Sequence, residues 1–401
     1  MNAVLILAVV AIEGATVHTG AGEPIEGATI LIEGGRITQV GTSVKVPAGA
    51  RRIAAKGQVV TPGLIDSYSN LGLVEVELVA ETNEGAFGPG DDVVHAAYRV
   101  TDGYNPASVA IPVVRAGGVT SVAAVPRGAL VAGTSALISL KDSPRAADLT
   151  RKAPLGMHAV LGRGAIEYGR GSRGLALERL REILDDAVAF AKRKGAYERR
   201  QTRDFAASRL DLEALVPVIR GTLPLIVQVD RAADIRTALR VARELKLRLV
   251  VVGGVEAWQV ADELAAARVP VILNPTQNLP STFDALHVRD DAPAILRKAG
   301  VAVAISTFGS NAAHRLRQAA GNAVAHGMSW KDALAAITSV PAEIFGAKGL
   351  GVIRPGATAD LVVWSGDPLE LSSSPLHVFI DGTEQPLKNR QTLLLERYRK
   401  L

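Results

Sequence analysis

The stretch VVTPGLIDSYSNLGL, residues 59–73, marks the boundary between two textures of sequence. Before it, residues 13–60 hold short apolar runs broken by glycine pairs, GATVHTG, then GATILIEGGRITQVG, then RRIAAKGQVV, the pattern of a small β unit. After it, apolar runs of five to eight residues alternate with amphipathic helical segments, which is how repeated βα units of a parallel sheet read. The candidate strands are VVTPGLIDS, VTSVAAV, GMHAVLG, LPLIVQV, RLVVVGG, PVILNP and VAVAIST.

Helices are expected between these runs. ADIRTALRVARELK, residues 233–246, places Ile235, Ala238, Leu239 and Ala242 on one face, and EAWQVADELAAAR repeats the pattern. Two further helices end at Gly300 and Gly327, where a left-handed residue closes a helix. Ser329 with Asp332 opens WKDALAAIT as a cap. From residue 349 the strand texture returns in GLGVIRPGATADLVVWSGDPLE and HVFIDG.

The expected class is therefore α/β: a TIM-type (β/α)8 barrel over residues 60–347, with a small β-sandwich built from both chain ends, 1–59 and 348–401. No Rossmann glycine fingerprint follows the first strand, which disfavours a doubly wound sheet. Only 16 aromatic residues are present, so the core rests on Val, Leu, Ile and Ala, the filling of parallel sheets.

Composition excludes several classes. There are no cysteines, hence no disulfides, thiolate metal sites or cysteine nucleophiles. The net charge of +5 is spread over segments such as KRKGAYERRQTR and KNRQTLLLERYRK, where acids or apolar residues interleave at helical spacing. Those are solvated helix faces, and no nucleic-acid partner is expected. No 20-residue apolar run suggests a membrane span. The run Ala3–Ile12 matches both a secretory core and a buried first strand, and no Lys or Arg precedes it, so cytoplasmic and exported locations both stay open.

Five segments in order, ATILIEGGRITQVG, VVTPGLID, AGGVTSV, residues 233–275 and residues 336–370, resemble the amidohydrolase superfamily, most closely its imidazolonepropionase and prolidase-like branch. That resemblance implies a hydrolase of C–N bonds, in cyclic or acyl amides, with one or two divalent metals at the C-terminal mouth of the barrel. It also implies a His-x-His after PGLID, two residues that face the same way on a strand. Those two positions here hold Tyr68 and Asn70. The histidines expected on the fifth and sixth strands are replaced by Gln228, with Asp230 beside it, and by Gly253. The aspartate expected after the last strand is Phe308, and Arg163 falls where a metal-bridging acid is expected. The seven histidines are far apart in sequence, and none forms a His-x-His or His-x-x-x-His pair.

The expectation is a dismantled metal site, with no metal, no cofactor and no catalytic residue. Tyr68 and Phe308 then fill the vacated volume. Asp66 and Arg163 are candidate pocket residues, and Arg163 is the expected anion-binding guanidinium for a small carboxylate. His158 reads as lying early on its strand, away from the mouth; His95, His314 and His326 read as surface or core-edge residues. Ser67 and Ser69 lack a histidine to activate them. Glu81 and Glu84 sit in a loop near the mouth.

Three functions fit. One is a silent family member acting as a binding or partner subunit, as a homodimer or beside an active homologue. Another is an atypical hydrolase with an oxygen-only site drawn from Asp66, Asn70, Gln228 and Asp230, or with no metal at all. The last is a receptor for a small anionic ligand.

Overall fold

The computed structural model describes residues 9–87, 93–277 and 279–399. Residues 1–8, which carry most of the secretory reading, lie outside this set; the end of the apolar run, Val10–Ile12, opens the first strand. The N-terminal unit contains β1 (Val10–Val17), β2 (Ile25–Glu33), β3 (Arg36–Gly41), β4 (Arg51–Ala54) and β5 (Val59–Pro62). The ring region contains β6 (Leu64–Ser69), β7 (Val119–Ala124), β8 (Val131–Thr134), β9 (Ala136–Ser139), β10 (Thr150–Lys152), β11 (Met157–Val160), β12 (Leu225–Val229), β13 (Leu249–Gly253), β14 (Val271–Leu273) and β15 (Val303–Ile305). At the C-terminal end come β16 (Leu361–Trp364), β17 (Pro375–Ile380) and β18 (Thr383–Gln385).

Both ends of the chain meet in one sheet, ordered β18-β17-β16-β5-β1-β2-β3 with β4 on β1. The junction is β5, parallel to β1 and antiparallel to β16, where Val60 pairs with Val363. Ile12, Ile30, Ile37, Val60, Leu361 and Phe379 are buried together in its core, each worth about 1.5–3 kcal/mol of apolar burial. Gly63 then carries the chain into β6, passing so close to Thr120 that a Cβ would lie 2.2 Å from its Oγ1. Only glycine fits there.

Strands β11 to β15 run parallel in sequence order, and β6 is parallel to β7. Between these groups, residues 131–139 run as one extended segment, interrupted at Ser135, whose halves β8 and β9 pair antiparallel with β11 and β7. The strands β6, β7, β8–β9 and β11 to β15 thus occupy eight successive positions in two sheets that meet at Ser135. The departures from a uniform parallel ring are this antiparallel third position and the last gap. There β15 and β6 share no backbone ladder: Ser67 Oγ donates to Ile305 O at 3.3 Å, and residues 336 and 337 accept from Ile305 N and Ile65 N. Asp66 braces the same gap, as described below. The fold is mixed α/β.

Alternation along the strands separates two faces. Val227, Val251, Val271 and Val303 pack outward against helices such as Ala232–Glu244, which buries Ile235, Ala238, Leu239 and Ala242. Ile65, Tyr68, Ile226, Val250, Val252, Ile272 and Ala304 point inward to a second core. Residues two positions further along the inward rows emerge at the C-terminal strand ends.

Candidate functional site

Near those strand ends Tyr68, the penultimate residue of β6, is buried, and its hydroxyl donates to Gln228 Oε1 at 3.5 Å. Its ring meets Phe308 edge-on at 5.3 Å between centroids and His158 at 5.7 Å. The Arg127 guanidinium sits 5.1 Å from the centre of the same ring, a cation–π contact, while its Nη2 donates to Phe308 O at 2.6 Å. Phe308 itself adopts φ +59°, an uncommon left-handed conformation for an aromatic residue. The structure therefore brings Tyr68, Gln228 and Phe308 together, and adds two residues that sequence reasoning did not bring to the site.

His158 is the first addition, and its reading as remote from the mouth is corrected. Met157 and Ala159 face the outer helices, so strand alternation turns His158 inward. Burial, aided by the Arg127 charge, pushes its imidazole down to about 3, so the ring is neutral. Among the described residues its Nε2 has no hydrogen-bond partner, and neither does the buried Oδ1 of Asn70. Burial raises the Tyr68 phenol above its ordinary range, with Arg127 opposing.

Arg127 is the second addition, the guanidinium found beside Tyr68 where Arg163 was expected. The side chain of Arg163 is exposed and makes no hydrogen bond or ion pair among the described residues; only its backbone N–H is engaged, donating to Asp284 Oδ2 at 2.9 Å. The physical reason is that the chain leaves β11 through Gly162 at φ +70° into a short 3-10 turn, which directs residue 163 to the surface.

Asp66 is corrected too: it is not a pocket residue. Fully buried, it accepts from Ser306 Oγ, from Thr307 Oγ1 at 2.6 Å and from the N–H groups of Tyr68 and Thr307, both at 3.4 Å. It ties β6 to the end of β15. Burial raises its carboxyl to about 6 despite these donors.

Gly253 ends β13 at φ +86°, and a Cβ there would lie 2.3 Å from Asp230 Oδ1. The Asp230 carboxylate thus occupies the space that a side chain at 253 would need. Burial raises it to about 6, with Asp284 and Glu256 adding to the rise and the Val255 N–H opposing it. The surrounding acids already have partners: Arg173 pairs with Asp284 and Asp234, Arg231 with Asp234, and His287 Nδ1 with Glu256 at 2.8 Å. Among the described residues no group of three His, Cys, Asp or Glu side chains is placed to hold a metal. The oxygen-only set is not assembled, because both Asp66 oxygens are engaged at the ring closure and Asp230 lies against Gly253.

The other candidates resolve simply. Ser67 and Ser69 donate to the carbonyls of Ile305 and Gly309. His314 and His326 meet nearby carbonyls through Nδ1, and His95 packs on Phe87. Glu81 is exposed, and the Glu84 carbonyl accepts from Tyr98 Oη.

Comparison with known proteins agrees with this architecture. The Amidohydrolase family profile matches residues 226–385. Imidazolonepropionase of Cereibacter sphaeroides is 28% identical over 90% of this chain and 95% of its own. Amidohydrolase tasK of Hapsidospora irregularis is 26% identical over 89% of this chain, which spans only 39% of that longer protein. The crystal structure of an amidohydrolase from Thermotoga maritima MSB8 superimposes with a TM-score of 0.84 at 29% identity, covering 95% of this chain and all of that one. Over most of its length the chain is therefore similar to proteins of the amidohydrolase superfamily. No helix among the described residues is long and apolar enough to cross a membrane.

Proposed function

We propose that this chain is an amidohydrolase-fold protein that does not perform metal-dependent C–N hydrolysis and instead serves as a binding or partner subunit. In this reading residues 60–347 form the (β/α)8 barrel, and residues 1–59 with 348–401 form a composite β-sandwich. The observation that carries it is the fit of the ligand positions to a metal. At position 253, backbone at φ +86° and the Asp230 oxygen leave no room for an imidazole. Positions 68 and 308 are filled by aromatic rings in mutual contact, and Gln228 is a neutral amide, a weak donor to Zn²⁺.

A metal does not fit this donor set. The family reaction draws hydroxide from a metal-bound water whose pKa falls from about 15.7 to about 7. None of Tyr68, Gln228, Phe308 or Gly253 supplies that effect, and His158 alone gives a single nitrogen donor.

The test is turnover of cyclic amides and N-acyl amino acids with added Zn²⁺ or Mn²⁺, with and without chelator, beside an imidazolonepropionase as control. This reading expects no chelator-sensitive turnover. Chelator-sensitive hydrolysis at rates near those of the control would overturn it.

A further inference from the structure

Among the described residues, the group around Tyr68 holds a positive charge without an ion-paired carboxylate. Arg127 is half-buried, and among the described residues no carboxylate forms an ion pair with it. Its Nη2 donates to Phe308 O and its guanidinium lies beside the Tyr68 hydroxyl, while its buried Nε has no partner among the described residues. His158, its ring 5.7 Å from that of Tyr68 and only 4% exposed, has an Nε2 likewise without a partner among the described residues. The Tyr68 hydroxyl faces Arg127 and makes a long bond of 3.5 Å to Gln228, a residue exposed to solvent. Leaving several buried donors and acceptors unmatched costs free energy at each, and a ligand that satisfies them recovers it.

We infer that Arg127, Tyr68 and His158 form a binding site for a small monocarboxylate, entered past Gln228 and Phe308. The planar carboxylate matches the edge of a guanidinium, whose Nε and Nη groups donate in parallel. Tyr68 Oη turns from Gln228 to the second oxygen or the adjoining atom, and His158, uncharged beside Arg127, donates or accepts at Nε2 without adding a second cation. A tetrahedral dianion is the poorer match, since it asks for two cations and this group offers one. The site rests on the metal-free reading above, because a metal between residues 68 and 228 would take the ligand's place.

The experiment is calorimetric titration of the full chain with acetate, propionate, acetamide, propionamide and inorganic phosphate, with metal content measured on the same sample. Propionate is expected to bind in saturable fashion, at least about tenfold tighter than propionamide and tighter than phosphate. Arg127→Met is expected to lose about tenfold to hundredfold in carboxylate affinity, Arg127→Lys about tenfold, and Arg163→Ala nothing. Equal affinity for propionate and propionamide, tighter phosphate, unchanged binding in Arg127→Met, or no saturable carboxylate binding would each overturn the site. Should Arg127→Met fail to fold, the acid-to-amide ratio in wild type and Arg127→Lys decides. Stoichiometric metal would overturn the reading beneath the site, whereas a metal-free protein indifferent to ligand charge overturns the site alone.

Discussion

Placing a side chain at residue 253 gives the sharpest test of the steric argument made for that position. In Gly253→Ala the new Cβ meets two separate obstacles. The backbone at φ +86° imposes about 1–2 kcal/mol on an L-residue. The 2.3 Å approach to Asp230 Oδ1 forces that carboxylate to move, an overpacking cost of about 1–3 kcal/mol. The expected loss of stability is thus about 2–5 kcal/mol, read from urea unfolding followed by tryptophan fluorescence and circular dichroism. The two contributions separate in a double-mutant cycle. In an Asp230→Ala background the same substitution keeps only the backbone cost, so the coupling is about 1–3 kcal/mol. A Gly253→Ala cost below about 0.5 kcal/mol, or additivity with Asp230→Ala, would refute the steric argument.

Other outcomes follow from the buried charges. The Asp66 carboxyl is raised from 3.8 to about 6, so the folded state binds its proton more tightly than the unfolded chain. Its contribution to stability is full below pH 3.8 and is lost as pH rises through 6; Asp66→Asn should therefore cost about 2 kcal/mol more at pH 4.5 than at pH 7 in parallel denaturation curves, and a cost that grows with pH would contradict this. His158 runs the other way: its pKa is lowered to about 3, so its contribution is full above pH 6.5 and is lost as pH falls toward 3. Proton NMR of the ring should show no titration midpoint above pH 5, and a midpoint near 6.5 would refute its burial. Asp360 accepts from Arg151 Nη2 at 2.6 Å and from Asp381 N at 2.8 Å, bracing β10 against the two-ended sheet; Asp360→Ala leaves Arg151 its Asp381 partner at 3.0 Å but unpairs Nη2 and the Asp381 N–H, and should cost about 1–3 kcal/mol by denaturation, with a cost under about 0.5 kcal/mol disproving the brace. A partner-subunit role expects association, and light scattering at micromolar concentration that finds only a 41.9 kDa species, alone and with an active homologue, would count against it.

Much of this arrangement is readable from sequence because strands obey local rules. The textures before residue 59 and after 349 belong to one sheet since β5 and β16 are apolar runs ready to pair, and the helix at 232–244 carries its buried face in its spacing. Tyr68, Gln228 and Phe308 converge because each ends or follows a parallel strand. What escapes the sequence is set by contacts between distant segments. Arg127 lies on an irregular loop after β7, and only its contacts with Tyr68 and Phe308, 59 and 181 residues away, bring it to the site. Position along β11 made His158 look remote; the in-out alternation flanking it, Met157 and Ala159 outward, was the available signal. Asp66, read as a pocket residue from its place at a strand end, is consumed by the Ser306 and Thr307 hydroxyls, a pairing across 240 residues that no local pattern shows.

The central claim is that the strand-end constellation has exchanged metal coordination for an aromatic and guanidinium cluster. Its most direct test is elemental analysis of the full chain after expression in medium supplemented with zinc and manganese, purified without chelator beside an imidazolonepropionase. The account predicts well under one equivalent of divalent metal, unchanged by Tyr68→Ala or Gln228→Ala. One or two equivalents that survive dialysis and fall on either substitution would contradict it.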